Sequence, residues 1–228
     1  MKSKLPDNVL VSKAKALAPI VQSIVKTTSK PKTSGHVVLS LDYDGCCDLL
    51  QTQRGIVYPN TFAPRAGYAH KQGINAARVA IAHYFLRALL EELIRPYKSV
   101  TLVNSSYEQS AGRTREFGLI AKTYGWLFNN VRNKVKIEKE SHAAFKKRTF
   151  LGHMKTFPTA TKFVFFDDLK RNVNSVSTAS NKVIACKFDY SSYVSGLESI
   201  VKFVSSTVSQ LPVNKKRYVN WANKLKAI

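Results

Sequence analysis

The chain has 228 residues, of which 44% are hydrophobic and 11% aromatic. This composition excludes general disorder and allows one sizeable packed domain with or without an appendage. The 36 Lys and Arg residues against 14 Asp and Glu residues give a net charge of +22, which predicts anionic partners: phosphorylated small molecules, acidic proteins, anionic lipids or nucleic acid. Three cysteines without CxxC spacing (Cys46, Cys47 and Cys186) exclude a disulfide framework and disfavour a structural zinc site.

The N-terminal region lacks the patterns of a membrane span and of a cleaved signal peptide. Its apolar stretch, residues 9–25, is interrupted by two lysines and by Pro19, so no run reaches the ~18 apolar residues that a span requires. Residues 8–26 are predicted to form a helix, and the polar residues 27–35 a linker. We therefore expect an appendage over residues 1–35, and either a cytoplasmic location or secretion by a route without a cleaved signal peptide.

Strands and helices alternate in the remainder of the chain. Short apolar runs predict buried strands at residues 36–41, 99–103, 162–166 and 182–188. Apolar periodicity predicts helices at residues 74–95, 114–130, 141–155 and 191–209. This alternation predicts an α/β domain over residues 36–213 with a mainly parallel sheet. The basic residues 214–228 form either a short helix packed on that domain or a flexible tail.

Four of the acidic residues form two close pairs, each directly after a predicted strand. Asp42 and Asp44 follow the first strand, and Asp167 and Asp168 follow the third. Open parallel sheets bind ligands at the carboxyl ends of their strands, so we expect these carboxylates to converge there. A hard cation such as Mg²⁺ relieves the repulsion between them. Alternatively, each pair caps a helix N-terminus or a turn.

Three segments carry a resemblance to a known family. LSLDYDG ends a strand in DxD, LVNSS ends a strand in Ser105, and FFDDLKRN is an acidic pair followed by Asn172. In this order they resemble the first, second and fourth motifs of the haloacid dehalogenase (HAD) superfamily, from about residue 36 to 190. NSSYEQS is similar to serine motifs of HAD-like proteins from intracellular bacterial pathogens. The resemblance implies a three-layer α/β/α Rossmann-like fold, and the short segment between the first two motifs excludes a large cap domain.

The resemblance also implies a Mg²⁺-dependent phosphohydrolase. Asp42 would be the nucleophile that forms an aspartyl-phosphate, and Asp44 the acid that protonates the leaving oxygen and then activates water. The ion would be held by the Asp42 carboxylate, the Asp44 backbone carbonyl and one acid of the second pair, Asp167 or Asp168, of which we favour Asp167.

Further candidates follow from the same resemblance. Ser105, with Ser106 beside it, would hydrogen-bond a phosphoryl oxygen. The third motif of the family is a lysine that stabilises phosphate and nucleophile. Lys146 and Lys147 both lie about 20 residues before the second acidic pair. We favour Lys147 for that role and keep Lys146 as a substrate-binding candidate, although either lysine also fits a solvated helix face. Apart from the resemblance, the loop at residues 51–73 is either an ordinary surface loop or a small lid that contacts the substrate.

Two other functions stay open at this point. One is a non-catalytic binding or effector protein on a HAD scaffold, which the net charge and the aromatic, basic C-terminal segment favour. The other is a nucleic-acid-binding protein whose aromatic side chains stack on bases while its lysines contact phosphates. The second is less favoured because the sequence contains no recognisable nucleic-acid-binding module.

Overall fold

A computed structural model describes residues 34–50, 76–107, 110–131, 137–188 and 197–227, together with the isolated helical positions Val9, Ser12, Ala16 and Pro19. The predicted first helix is therefore helical at those four positions, and its other residues lie outside the described ones. The predicted lid loop and linker lie outside them as well, apart from Ser34 and Gly35 in the linker.

The chain divides into two compact units. The sheet unit comprises Pro31–Cys47 and Pro96–Phe188, and the helical unit comprises Met1–Lys30, Asp48–Arg95 and Asp189–Ile228. The boundaries expected from the sequence, after residues 35 and 213, stay a prediction.

The sheet has five strands: β1 (His36–Leu41), β2 (Ser99–Asn104), β3 (Leu127–Phe128), β4 (Lys162–Asp167) and β5 (Val183–Lys187). Their order is β3-β2-β1-β4-β5, and every pair of neighbours is parallel. The predicted α/β class with a mainly parallel sheet is confirmed. The register pairs Leu41 of β1 with Asn104 on one side and Phe166 on the other, so these three strands end level at one edge.

Six helices are described: α1 (Ala76–Ile94), α2 (Ala111–Tyr124), α3 (His142–Thr156), α4 (Lys170–Ser177), α5 (Leu197–Ser209) and α6 (Lys215–Ala227). A 3-10 turn (Cys47–Leu50) follows the loop after β1. No described helix is long and apolar enough to cross a membrane.

The prediction for residues 114–130 was wrong in part, because that stretch contains both α2 and the short edge strand β3. The helix begins where the Ser110 hydroxyl accepts a hydrogen bond from the Arg113 amide, and it ends at Gly125, whose φ of 67° is left-handed. Leu127 and Phe128 then pair with β2. Helix α4 was not predicted, because its Ser and Asn residues are weak helix formers and only Val173 and Val176 mark an apolar face.

The helices of the sheet unit cover both faces of the sheet. The Phe117 ring of α2 stacks on Phe128, which lies in the same register row as Val164. The Phe150 ring of α3 packs edge-on against Phe163, which alternates with Val164 along β4 and so points to the opposite face. Helix α4 packs with α3 on that second face. The unit therefore has the expected α/β/α layers.

The described part of the helical unit buries an aromatic cluster. The Phe85 ring of α1 lies 5.9 Å from Phe203 of α5 and 5.3 Å from Trp221 of α6, between ring centroids. Of the two alternatives for residues 214–228, the structure shows the helix: α6 buries Tyr218, Trp221, Ala222 and Leu225 and exposes most of its lysines. The three cysteines, all among the described residues, are buried and form no disulfide bond.

Gly35, which precedes β1, provides a first test of this packing. Its φ is +86°, and a Cβ atom there would lie 2.8 Å from the Thr161 hydroxyl oxygen. We expect Gly35→Ala to lower the free energy of unfolding by about 1–3 kcal/mol. Gly152, inside α3, has open space around its Cα, so Gly152→Ala should raise the same quantity by up to about 1 kcal/mol. Chemical denaturation of both variants checks this; equal effects would contradict it.

His153 makes stability depend on pH. Its Nδ1 atom lies 3.0 Å from the Ser40 hydroxyl in the core, and burial lowers its pKa from 6.5 to about 4. Between these two values the unfolded chain binds a proton that the folded chain excludes, so stability falls as the pH drops. Between pH 7 and pH 5 we expect the free energy of unfolding of the unaltered chain to fall by about 2 kcal/mol more than that of the His153→Gln variant. Chemical denaturation of both proteins at the two pH values measures this, and an equal fall in the two proteins would disprove it.

Candidate functional site

The two acidic pairs meet at the carboxyl edge of the sheet. One carboxylate oxygen from each of Asp42, Asp167 and Asp168 lies within 4.8 Å of the other two. The reason is topological: β1 and β4 are neighbours whose ends are level, so the residues that follow them are forced together. The expected convergence is therefore present for three of the four carboxylates. Asp44 lies outside this group of described residues and is paired elsewhere.

Backbone hydrogen bonds fix the first of these carboxylates. The Asp42 amide donates to the Phe166 carbonyl of β4 at 2.9 Å, and the Asp42 carbonyl accepts from the Cys47 amide at 2.9 Å. The Asp42 Oδ1 atom accepts from the Tyr43 amide. The chain then turns away from the strand through Gly45, whose φ of 72° favours glycine.

Asp167 is held from the opposite side of the site. Its side chain is fully buried, and its Oδ1 atom accepts hydrogen bonds from the Leu169 amide and the Asn172 side-chain amide, both at 2.9 Å. Asn172, singled out in the FFDDLKRN segment, therefore orients Asp167. Helix α4, which the sequence did not reveal, carries this residue.

A lysine ion pair joins the two strand ends. The Lys146 ammonium nitrogen lies 2.7 Å from Asp42 Oδ1 and 3.0 Å from Asp167 Oδ2, and its side chain is only 2% exposed. Lys146 rather than the favoured Lys147 thus contacts the carboxylates, and the Lys147 Nζ atom donates to the Thr178 hydroxyl at 3.4 Å. Neighbours in a helix are about 100° apart, so only one of the two lysines can face the sheet.

Lys146 lies on the buried face of α3. Residues on one face of a helix recur three, four and seven positions apart. Counting from Lys146, these positions are Thr149, Phe150 and His153, and all four residues are buried. Counted from Lys147, the same positions are the apolar residues Phe150, Leu151 and Met154, so the periodicity of the sequence did not separate the two lysines.

Burial and mutual repulsion perturb the acids. Burial raises the pKa of Asp42, and the charge of Asp167 adds to this effect, while Lys146 opposes it. Burial, followed by the charges of Asp167 and Asp42, raises the pKa of Asp168 to about 7. Burial alone would lower the pKa of Lys146, but attraction to the two carboxylates it contacts outweighs burial and raises that pKa. The ammonium group is therefore a permanent cation of the site.

Charge balance makes the cluster a candidate metal centre. When all three carboxylates are ionised, the single ammonium group leaves two unbalanced negative charges, which one divalent cation would neutralise. All the acidic donors are oxygens, which suit hard cations such as Mg²⁺. Ser105, directly after β2, is 0% exposed, and its hydroxyl oxygen has no hydrogen-bond partner among the described residues, so it is available to a ligand. A buried hydroxyl without a partner is costly unless a ligand completes it.

Asp44 and Ser106 belong to a second group of contacts. Arg113, in the first turn of α2, donates to Asp44 Oδ2 at 3.0 Å and to the Ser106 hydroxyl at 2.8 Å. Sequence reasoning missed Arg113; the only signal was an arginine at the start of the helix that follows the Ser105 strand. Ser106 thus accepts a hydrogen bond from the protein, whereas Ser105 is the serine that a ligand could still engage.

Fold and site together define a parallel α/β protein with a carboxylate–lysine cluster at the carboxyl edge of its central strands. No protein-family model, no curated protein and no solved structure matches this chain. The HAD resemblance therefore rests on the three sequence motifs.

The lysine pair of α3 provides a matched test of the cluster. Lys146→Met leaves Asp42 and Asp167 uncompensated in a water-poor site, so we expect the free energy of unfolding to fall by about 3 kcal/mol without added divalent cation. Lys147→Met removes a partly exposed side chain and should change it by less than about 0.5 kcal/mol. Urea denaturation of both variants measures the difference, and equal losses would show that Lys146 does not compensate the acids.

Proposed function

We propose that this protein is a Mg²⁺-dependent phosphatase of the HAD type, which hydrolyses a phosphomonoester through an aspartyl-phosphate. The observation that carries the proposal is the cluster of Asp42, Lys146 and Asp167 at the ends of two adjacent parallel strands. Its residues fall in the motif order that the family resemblance implies, with Ser105 at the end of the third strand of that edge.

The local geometry supports a nucleophilic role for Asp42. Its Oδ1 atom is held by the Tyr43 amide and by Lys146, while the side chain keeps 13% exposure. An oriented carboxylate with partial access can attack a phosphorus atom, and the cost of bringing two anions together is lowered by a neighbouring ammonium group. Asp42 would then carry the phosphoryl group until water displaces it.

The other residues would receive complementary roles. Asp42, Asp167 and Asp168 would hold Mg²⁺, whose positive charge would offset the charge of a phosphoryl group. The orphaned Ser105 hydroxyl would donate to a phosphoryl oxygen. Asp44, whose side chain is 32% exposed, would exchange a proton with the leaving group and with water.

The high positive charge supports an anionic substrate and leaves a second candidate role. With 36 basic against 14 acidic residues, the chain attracts phosphorylated molecules, acidic proteins, anionic lipids and nucleic acids at low salt. A binding or effector protein that keeps the metal site without turnover would share this property. Cytoplasmic residence belongs to the same proposal, and its alternative, secretion into a host cell without a cleaved signal peptide, rests on the resemblance to proteins of intracellular bacterial pathogens.

Phosphate release from p-nitrophenyl phosphate tests the enzymatic role. We expect turnover that requires Mg²⁺, stops with EDTA, and falls about a thousandfold or more in Asp42→Asn, which keeps the shape of the side chain but removes the nucleophile. Mass spectrometry of rapidly quenched protein should find phosphate on the peptide that contains Asp42.

Controls separate the alternatives. Glu138→Gln removes an exposed acid outside the cluster and should leave turnover unchanged. Isothermal titration with Mg²⁺ should show binding that Asp167→Asn weakens. Metal binding without Asp42-dependent turnover, on this probe and on a panel of biological phosphates, would favour the non-catalytic role. RNA or DNA binding that weakens with added salt and is unchanged in Asp42→Asn would favour the nucleic-acid-binding role.

A further inference from the structure

Arg113 connects three segments at the carboxyl edge of the sheet. Its NH1 group donates to the Ser106 hydroxyl at 2.8 Å. Its NH2 group donates to Asp44, at 3.0 Å from Oδ2 and 3.4 Å from Oδ1. Its guanidinium carbon lies 4.8 Å from the centroid of the Tyr43 ring. One side chain therefore ties the loop after β1 to the loop after β2 and to the first turn of α2.

The partners of Arg113 are themselves held in place. The Tyr43 hydroxyl donates to Glu116, which lies one turn further along α2. The Ser106 amide donates to the Asn104 side chain at 2.7 Å. The Arg113 amide donates to the Ser110 hydroxyl that caps the helix. The backbone of Arg113 and the partners of its guanidinium group are therefore held in place. A planar guanidinium group forms its directional hydrogen bonds best with partners that are held in this way.

On the basis of the proposed phosphatase function, we infer that Arg113 is a positioning residue, which holds Asp44 in the orientation that proton transfer requires. Asp44 has no place in the carboxylate cluster that would orient it, and its side chain is a third exposed. The two Arg113 hydrogen bonds therefore fix its direction, two residues beyond the proposed nucleophile. Displacement of a reacting group by about 1 Å can cost about a hundredfold in rate. A partly exposed ion pair contributes little to stability, so positioning and folding can be separated.

Leaving-group dependence reads out this role. Phenyl phosphate has a poor leaving group that needs a proton from the enzyme, whereas 2,4-dinitrophenyl phosphate has one that departs without it. We compare kcat/KM, which reports phosphoryl transfer to Asp42 and not the later hydrolysis of the aspartyl-phosphate, in which Asp44 acts for both esters alike. In Arg113→Met we expect kcat/KM for phenyl phosphate to fall about 10- to 100-fold, and kcat/KM for the dinitrophenyl ester to change less than about threefold. Asp44→Asn should show the same contrast. The double variant should be no slower than Asp44→Asn, because both changes impair the same proton transfer.

Arg148 provides the matched control. It forms a two-point pair with Glu140, at 2.7 and 2.5 Å, lies over the Phe145 ring, and has 23% side-chain exposure against 17% for Arg113. Its partner Glu140 is not one of the cluster carboxylates. Arg148→Met should therefore leave both esters unaffected. Arg113→Lys keeps the charge but not the fork, so it should recover only part of the phenyl phosphate rate. If circular dichroism shows that Arg113→Met does not fold, Arg113→Lys replaces it in the comparison of the two esters.

The outcomes are distinct. The expected contrast in Arg113→Met and Asp44→Asn, absent in Arg148→Met, supports the inference. An equal loss on both esters, or a double variant slower than Asp44→Asn, overturns the positioning role while the phosphatase assignment stands. The absence of a contrast in Asp44→Asn overturns it too, because Asp44 would then not be the acid. No turnover of either ester by the unaltered chain removes the proposed function and the inference together.

Discussion

Asp42 and Asp167 lie side by side at the ends of the two central strands, and the ammonium group of Lys146 makes that arrangement possible. The register of β1 and β4 forces the two carboxylates together, in surroundings that water reaches poorly. Two such anions without a cation would be unstable or protonated. Because Lys146 comes from α3, the same ion pairs couple that helix to the sheet.

The charges at this edge form two systems with different surroundings. The inner one consists of the three clustered carboxylates and Lys146, and it keeps a negative excess that suits a divalent cation. The outer one is the pair of Arg113 and Asp44, which is balanced and partly exposed. Because Asp44 pairs with Arg113, it takes no part in the inner cluster. The proposed nucleophile and the proposed acid therefore lie in different environments, although only one residue separates them in the sequence.

Several elements could be predicted because their signals are local. The strands β1, β2, β4 and β5 are apolar runs of the length that a sheet buried on both faces requires. β3 could not be recognised, since two residues carry no periodicity and exist as a strand only through pairing with β2. Helix α4 has too few strong helix formers to stand out, and it forms where Val173 and Val176 pack on the core.

The sequence by itself determined the α/β class and the acids that follow the strands, because strand patterns and the chemistry of Asp are properties of neighbouring residues. Only the tertiary structure decided which lysine compensates them and which partner Asp44 takes. Lys146 and Lys147 are chemically identical, and the helix phase relative to the sheet separates them. Arg113 meets Asp44 across 69 residues of chain, a contact that no local pattern encodes.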